Sequence, residues 1–361
     1  MIFKPYHRHW IILSLVFGLS SLLLYAYFWL FTPTRLQVIY QNWDGPLYTV
    51  IAESLYNPRI ISQIPYAENI KPPEDFASSF PLYPLAIRLL SFIGYFRATI
   101  LVSLIFSWVA IIAFYELVRQ NRFTRQPLLL SLIFIFLPPR WFLSSHIGAS
   151  EPLFIFLILM SLIYFFRRRY LVSGIWLGLA QLARSQAILF FAGYALFALI
   201  KTIKTKRFIA GYLSYLLSPL ALLGFFAYLK FQYGNFFAFF TAMSKWPLMG
   251  SFPFAVFSAY PHRLVPTPSL QNHFWIYLVD IWAVLLLVKN RRPFLALLTA
   301  IYTFPLLFIV HIDLPHYNLP LTPFLLIAFE PIIATKSFLA AVIALLPALY
   351  IFTVKSMFLN R

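Results

Sequence analysis

Long runs of apolar residues separated by short basic segments are the feature that most constrains this chain. The first run, Trp10 to Phe31, would be about 33 Å long as a helix, which is enough to cross a bilayer. Hydrophobic residues make up 61% of the 361 residues, more than a water-soluble core requires. The runs predict an all-α polytopic membrane protein. We expect one membrane-embedded domain over residues 1–361, with no soluble domain attached.

Short connections rich in Lys and Arg predict how these runs are oriented. Basic residues collect on the inner side of a membrane. With an inner N-terminus, every short basic connection falls inside and every long connection falls outside. The pattern predicts about eleven spans. After the first, which we expect to be retained as a signal anchor, they are Ala98–Val118, Leu128–Leu143, Pro152–Phe166, two arms within Tyr170–Ile200, Phe208–Leu229, His273–Val288, Pro293–Val310, Leu319–Ile333 and Phe338–Val354.

Two long connections, residues 32–96 and 231–272, fall on the predicted outer side. The first contains two apolar-patterned segments, Leu47–Leu55 and Pro84–Ile93, which predict two helices lying along the membrane surface. The formal net charge of +18 is expected to face anionic lipid. No nucleic-acid partner is expected, because no loop combines aromatic residues with Arg in a nucleic-acid motif. The absence of Cys excludes disulfides and Cys-ligated metals.

Asp44 is the first acidic residue in the chain and lies just beyond the first span. Pro46 suits the first position of a helix with Gly45 as its cap, so Asp44 would sit just ahead of that helix's N-terminus. A carboxylate beside a membrane is costly unless it is hydrated, paired or used in a reaction. Asp44 is therefore either a helix cap or a chemically active group.

Arg184 interrupts the apolar stretch from Tyr170 to Ile200. The basic segments on both sides of this stretch are expected inside, so the chain must go out and back. Thirty residues allow each arm only about 21–23 Å of helix. Arg184 would then lie at the tip, below the outer surface. There it either binds a lipid phosphate or extends to the headgroups as an anchor.

Three groups of residues on the predicted outer rim have chemistry-bearing side chains. In the first, Asp44 is a general base while Arg184 and Arg263 hold a phosphate leaving group, which suits glycosyl transfer from a lipid phosphate. The second is a divalent-metal site made by His311, Asp313 and His316, with Asp44 or Glu151 completing it. The third, Ser144 or Ser145 with His146, is weak, because adjacent loop residues rarely point at one another.

Five segments of the chain carry short motifs in a fixed order. They are Asn42–Glu53 with its Trp-Asp pair, Phe76–Pro84 with Phe-Pro-Leu-Tyr-Pro, Ser150–Phe154, Leu182–Gln186 and His316–Leu321. These motifs resemble those of the family typified by the second mannosyltransferase of GPI-anchor synthesis. Pro152 and His316 replace the family's Ser and Arg, and these departures concern the acceptor more than the reaction type.

The resemblance implies a C-type (GT-C) glycosyltransferase fold and inverting transfer of a sugar, expected to be mannose. The donor would be a polyprenyl- or dolichyl-phosphate sugar, and the acceptor a lipid or glycan. Asp44 takes the role of catalytic base. We assign substrate binding to polar residues of the predicted outer rim, namely Trp43, Glu74, Glu151, Arg184, His262, Arg263, His316 and Tyr317.

The same resemblance implies a cellular location. The chain is shorter than eukaryotic members and lacks Cys, which points to a prokaryotic relative and away from GPI as the acceptor. We expect a multi-pass protein of the cell membrane, with a cytoplasmic N-terminus and an active site on the outer face.

The main alternative is a multi-span transporter or lipid flippase, and a further one is a non-catalytic assembly subunit. Transporters tend to carry internal repeats and charged sites near the membrane midplane. The sequence shows no convincing repeat, and Asp280 is the one acidic residue expected in the middle of a span. The polar residues collect at one rim, which favours interfacial chemistry.

Overall fold

Helices joined by short connections form the architecture of the chain. The computed structural model describes residues 5–245, 248–258 and 267–359. These residues form no β-strand, and one isolated bridge pairs Met249 with Ile309. The all-α prediction is confirmed for this part of the chain.

The described residues form twenty α-helices and five short 3-10 helices. The α-helices are α1 (Pro5–Phe31), α2 (Gln37–Tyr40), α3 (Gly45–Ser54), α4 (Pro58–Ile61), α5 (Leu82–Leu89), α6 (Tyr95–Gln120), α7 (Pro127–Phe136), α8 (Pro139–Ser144), α9 (Glu151–Phe166), α10 (Tyr170–Ala183), α11 (Ala187–Thr205), α12 (Leu217–Tyr233), α13 (Ala238–Ser244), α14 (Thr267–Lys289), α15 (Pro293–Leu306), α16 (Leu314–Asn318), α17 (Thr322–Ala328), α18 (Glu330–Ile333), α19 (Lys336–Ala344) and α20 (Leu346–Leu359). The 3-10 helices are Pro73–Ser78, Ser91–Ile93, Ala210–Leu216, Ala255–Phe257 and Leu319–Leu321.

Several helices are long and apolar enough to cross a membrane. In the described part of the chain there are five such helices, and the bent pair α19–α20 would make a sixth. The five are His7–Phe31, Tyr95–Gln120, Ala187–Thr205, Ala210–Tyr233 and Ser269–Lys289. Their lengths and composition support an integral membrane protein. The count of eleven spans stays a prediction.

Prolines explain why some apolar runs are not single long helices. The predicted span Leu128–Leu143 is two helices, α7 and α8, which meet at Pro138 and Pro139. The predicted span Leu319–Ile333 is likewise divided into a 3-10 turn, α17 and α18. Proline removes a backbone donor and clashes with the preceding turn, so each of these runs breaks where prolines occur.

Helix α9 lies at the centre of the molecule and packs most extensively against α6 and α10. Most of its side chains are buried, as expected for a helix that is apolar on all sides. By contrast, α1 presents an apolar face that is more than half exposed, formed by Leu15, Leu19, Leu22 and Leu23. A face of this kind is suited to contact with lipid.

Residues from different connections meet in two separate places. Predicted inner connections meet at one end, where Phe123, Arg168, Lys201 and Arg291 line a common pocket. Asp44, Gly148, Glu151 and His316, from three predicted outer connections, line a cleft elsewhere. The predicted long loop joins the first loop through an ion pair between Lys245 and Asp75 (2.5 Å). The long connection predicted over residues 231–272 is shorter than expected, because α12 continues to Tyr233 and α14 begins at Thr267.

Candidate functional site

The segment carrying Trp43 and Asp44 has an unusual backbone. Trp43 is in the left-handed region (φ 50°), which is uncommon for a residue with a bulky side chain. Asp44 takes the N-cap position of α3, one residue earlier than the sequence suggested, but its side chain makes no capping hydrogen bond. Helix capping therefore does not explain this carboxylate. Asn42 is fully buried and donates its Nδ2 to the backbone carbonyl of Met357 (2.8 Å), which fixes the segment to α20.

Two glycines bring this segment against the connection between α8 and α9. A Cβ added at Gly148 would lie 2.7 Å from the Cα of Gly45 and 2.5 Å from the Cγ2 of Thr99. Both distances are too short for any side chain. Glycine at position 148 thus permits the backbone of the Asp44 loop to lie beside the segment that leads into Glu151.

The indole ring of Trp43 contacts two polar side chains. The guanidinium of Arg140 lies 3.9 Å from the centre of the indole ring, and the imidazole of His316 stacks parallel to the ring with centroids 6.3 Å apart. Arg140 also pairs with Asp313 (2.5 Å), and both side chains are largely buried. Burial raises the pKa of Asp313, an effect that Arg140 opposes. The cation–π contact with Trp43 further stabilises the buried charge of Arg140.

Glu151, Arg184 and His316 form a second buried polar group. The guanidinium of Arg184 donates to a carboxylate oxygen of Glu151 through Nη1, and the same nitrogen donates to Ser150 Oγ (2.8 Å). His316 Nε2 lies 2.8 Å from the same Glu151 oxygen and 3.3 Å from Arg184 Nη2. Arg184 Nε donates to Gln186 (3.2 Å), so each guanidinium nitrogen has a partner.

The position of Arg184 bears on two expectations. It lies in the short connection between α10 and α11, which are about 21 and 28 Å long, and the reversal of the chain at this point stays a prediction. The longer arm exceeds the predicted 21–23 Å. The guanidinium is neutralised by Glu151 inside the cleft, so it does not extend outward as a surface anchor. A donor phosphate that contacted it would exchange with one of its present partners.

Asp44 lies at the edge of the cleft and is exposed. In the described part of the chain, its carboxylate forms no ion pair or hydrogen bond, unlike Glu151 deeper in the same cleft. The cleft is lined by Trp43, Asp44, Tyr48, Arg140, Ser144, Ile147, Gly148, Ala149, Glu151 and His316. The cleft thus offers one free carboxylate beside several cationic or aromatic side chains.

Three buried polar atoms on cleft-lining residues lack a hydrogen-bond partner among the described residues. They are Trp43 Nε1, Arg140 Nε and Glu151 Oε2. Buried polar groups are nearly always hydrogen-bonded, and exceptions that cluster call for an explanation. Two donors and one acceptor without partners in one place would be satisfied by a polar ligand or by water.

Two basic residues near Asp44 are absent from the sequence-based site. Arg140 lies in a run that the sequence assigned to a membrane span, and a charge inside such a run is the signal that could have identified it. Lys71 donates to Ser78 Oγ (2.9 Å), and burial lowers its pKa to about 8, although the charges of Asp44 and Asp75 oppose this shift. No sequence motif marks Lys71.

Some predicted site residues lie apart from the cleft. Glu74 is exposed on the 3-10 helix Pro73–Ser78 and does not line the cleft. Tyr317 packs edge-on against His316, and its backbone carbonyl accepts a hydrogen bond from Tyr302 (3.0 Å). His262 and Arg263 lie outside the described residues.

The described residues form neither the predicted metal site nor the predicted pair of a serine with His146. Across residues 5–245, 248–258 and 267–359, no group of three or more His, Cys, Asp or Glu side chains is arranged to hold a metal ion. His311 Nδ1 accepts from the backbone of Asp313, while Asp313 and His316 pair with different side chains. His146 is buried and contacts Ser21 Oγ (2.9 Å), so it is not paired with Ser144 or Ser145.

An apolar groove is formed partly by helices next to residues of the polar site. It lies between α3, α5, α10 and α12, and it is lined almost entirely by carbon atoms of Ile51, Leu55, Tyr56, Pro81, Pro84, Leu85, Leu182, Ala221, Gly224, Phe225 and Tyr228. Two of these helices end next to residues of the polar site, since Asp44 precedes α3 and Arg184 follows α10. The cleft itself has a volume of only about 10 Å³, room for about one water molecule, so a polar headgroup would lie against its exposed edge at Asp44. The groove is much larger, at about 440 Å³.

Comparisons with other proteins assign neither a family nor a function to this chain. No family model matches the chain, and no curated protein matches it.

Proposed function

We propose that the chain is an inverting glycosyltransferase of the membrane. It transfers a sugar, expected to be mannose, from a polyprenyl- or dolichyl-phosphate donor to a lipid or glycan acceptor on the outer face. The observation that carries the proposal is the free carboxylate of Asp44 at the edge of a cleft whose other acidic residue, Glu151, is already paired.

The side chains in and around the cleft suit a phosphate-linked sugar. Arg140, Arg184 and Lys71 bring positive charge close to Asp44, and Trp43 offers an aromatic face for a sugar ring. The unpartnered donors Trp43 Nε1 and Arg140 Nε could be satisfied by sugar hydroxyls or phosphate oxygens. The apolar groove would accept the first isoprenoid units of the donor. Together these features match an amphiphilic substrate better than a water-soluble one.

The chemistry follows from the position of the base. Asp44 accepts the proton of an acceptor hydroxyl as its oxygen attacks the anomeric carbon of the sugar. The bond between that carbon and the phosphate oxygen breaks, and the lipid phosphate leaves with the bonding electrons. Cationic side chains stabilise the developing negative charge. Attack from the face opposite the leaving group inverts the anomeric configuration.

The replacement Asp44→Asn tests the proposal. An amide cannot accept the proton, so we expect transfer to fall about 10²–10⁴-fold while the protein folds normally. The assay uses the purified protein in vesicles, with polyprenyl phosphomannose labelled in the sugar and a total membrane-lipid extract as acceptor. Glu68→Gln is the matched control, because Glu68 is an exposed acid in the same loop that does not line the cleft.

The outcomes separate the proposal from its main alternative. Transfer at the wild-type rate by Asp44→Asn, with Glu68→Gln equally active, would remove Asp44 as the base. If wild type moved the labelled donor across the bilayer without releasing polyprenyl phosphate, a transporter or flippase would be supported. The transporter alternative is supported by Asp280 on α14. This residue is fully buried, and its Oδ2 lacks a hydrogen-bond partner among the described residues.

A further inference from the structure

A second pocket with a different character lies among the predicted inner connections. Four basic residues line it: Arg168 after α9, Lys201 on α11, and Arg291 and Arg292 before α15. Its volume is about 380 Å³, and it is open to the surface. We call it the basic pocket. Its residues come from three connections far apart in sequence, so the fold itself brings the charges together.

The lining of the basic pocket carries basic side chains and no acidic one among the described residues. Arg168 and Arg291 are exposed, and neither has an ion-pair partner in the described part of the chain. Helices α10 and α15, each 14 residues long, begin at the pocket with Tyr170 and Pro293, and their N-termini add positive potential.

The side chain of Arg292 is held in place by hydrogen bonds. Its guanidinium donates to the backbone carbonyl of Ile327 (2.8 Å) and to that of Phe123, and it lies 5.0 Å from the centre of the Phe123 ring. Burial lowers the pKa of Arg292, which Glu330 opposes. A held and partly desolvated guanidinium gains from a nearby anion.

The walls of the basic pocket are aromatic. Phe165 and Phe294 stack with ring centroids 4.0 Å apart, and Phe197 lies 4.7 Å from Phe294. The helices that line the pocket also carry exposed apolar side chains close by in sequence, Leu171 on α10 and Ile203 on α11. The same two helices therefore provide both lining residues of the basic pocket and exposed apolar side chains.

We propose that the basic pocket binds the phosphate headgroup of an anionic phospholipid, with the acyl chains lying along the exposed apolar surface of α10 and α11. A soluble phosphate would use the same charges, but it would gain nothing from that apolar surface. Basic pockets between the ends of membrane helices favour anionic headgroups for the same reasons. The site is separate from the proposed glycosyl-transfer cleft and does not depend on its function.

The test is a lipid titration of the purified, delipidated full chain in detergent, followed by native mass spectrometry. Dioleoyl phosphatidylglycerol is the probe and dioleoyl phosphatidylcholine the neutral comparison. The variant Arg168→Gln/Arg291→Gln removes the two exposed charges. We expect its affinity for phosphatidylglycerol to be about 30-fold weaker, since each basic residue near an anionic lipid surface contributes about 1 kcal/mol and 1.4 kcal/mol is tenfold.

The control variant is Lys204→Gln/Arg207→Gln, which removes two exposed charges near the end of α11 that do not line the pocket. We expect it to bind phosphatidylglycerol like wild type. Equal weakening in both variants would reduce the effect to general charge and overturn the site. Equal affinity of wild type for both lipids would overturn it as well.

Two further measurements complete the test. Pyrophosphate is titrated as a soluble source of phosphate, and tight pocket-dependent binding of pyrophosphate without preference for phosphatidylglycerol would overturn the lipid assignment. A photoactivatable phosphatidylglycerol is crosslinked to the wild-type protein, which requires no variant to fold. We expect adducts on pocket residues such as Phe165, Phe197 or Tyr170, and adducts confined to other surfaces would overturn the proposal.

Discussion

Replacing Glu151 with Gln should destabilise the protein far more than the loss of one surface charge would. The Glu151 side chain is 1% exposed and that of Arg184 11%, so water cannot replace the lost carboxylate. Removing one partner of a buried pair typically costs about 3–5 kcal/mol, because the other charge stays buried without compensation. Gln keeps the size of the side chain and can accept one hydrogen bond, so we expect about 3 kcal/mol.

The pairing also predicts how two replacements combine. Arg184→Gln alone leaves the Glu151 carboxylate buried without Arg184, so we expect a loss of similar size. In Glu151→Gln/Arg184→Gln both charges are gone. The double variant should therefore be destabilised by about 2–3 kcal/mol less than the sum of the single variants, within the range seen for residues in direct contact.

The assay is equilibrium unfolding of the purified protein in mixed micelles, titrated with a denaturing detergent and followed by circular dichroism. Glu116→Gln is the matched control. Glu116 pairs with Arg119 at 2.6 Å, but the arginine is 34% exposed, so we expect a loss of about 1 kcal/mol or less. Strict additivity of the two replacements in the buried pair, or equal losses for Glu151→Gln and Glu116→Gln, would refute this reasoning.

Two further predictions concern the surroundings of Asp44. Burial lowers the pKa of Lys71 to about 8, so its positive charge is lost as the pH rises from 7 to 9. Over this range we expect the affinity of the wild-type protein for the donor to fall up to about tenfold. The affinity of Lys71→Arg should not fall, because arginine stays charged. Parallel falls in both proteins would show that this charge does not hold the donor. Gly148→Ala should reduce thermal stability by about 1–3 kcal/mol and impair transfer, because its Cβ meets the Gly45 backbone. Gly18→Ala, whose Cβ meets nothing within 4 Å, is the control, and equal behaviour of the two variants would contradict the steric argument.

The sequence predicts well those features that depend on nearby residues. Apolar runs locate the long helices α1, α6 and α14, and basic segments on both sides of Tyr170–Ile200 locate the turn at Arg184. Gly45 and Pro46 locate the start of α3 to within one residue. In each case the physical cause lies within a few turns of the helix concerned.

The sequence does not predict features that depend on contacts between distant residues. The ring of Trp43 contacts Arg140 and His316, which lie about a hundred and almost three hundred positions away, and no local pattern encodes these contacts. The neutralisation of Arg184 by Glu151 has the same origin. Sequence reasoning treated Arg184 as an unpaired charge, and only the packing of α9 against α10 supplies its partner.

The hydrogen bond from Asn42 to Met357 has a consequence for biosynthesis. It joins residues 315 positions apart and ties the segment carrying Asp44 to the last helix of the bundle. At roughly 5–20 residues per second, a ribosome needs about 15–60 s to synthesise the intervening chain. During that interval the early loop lacks its final anchor. The cleft can therefore reach its native shape only after α20 has been synthesised, so a nascent chain stalled before α20 would be incomplete at this site.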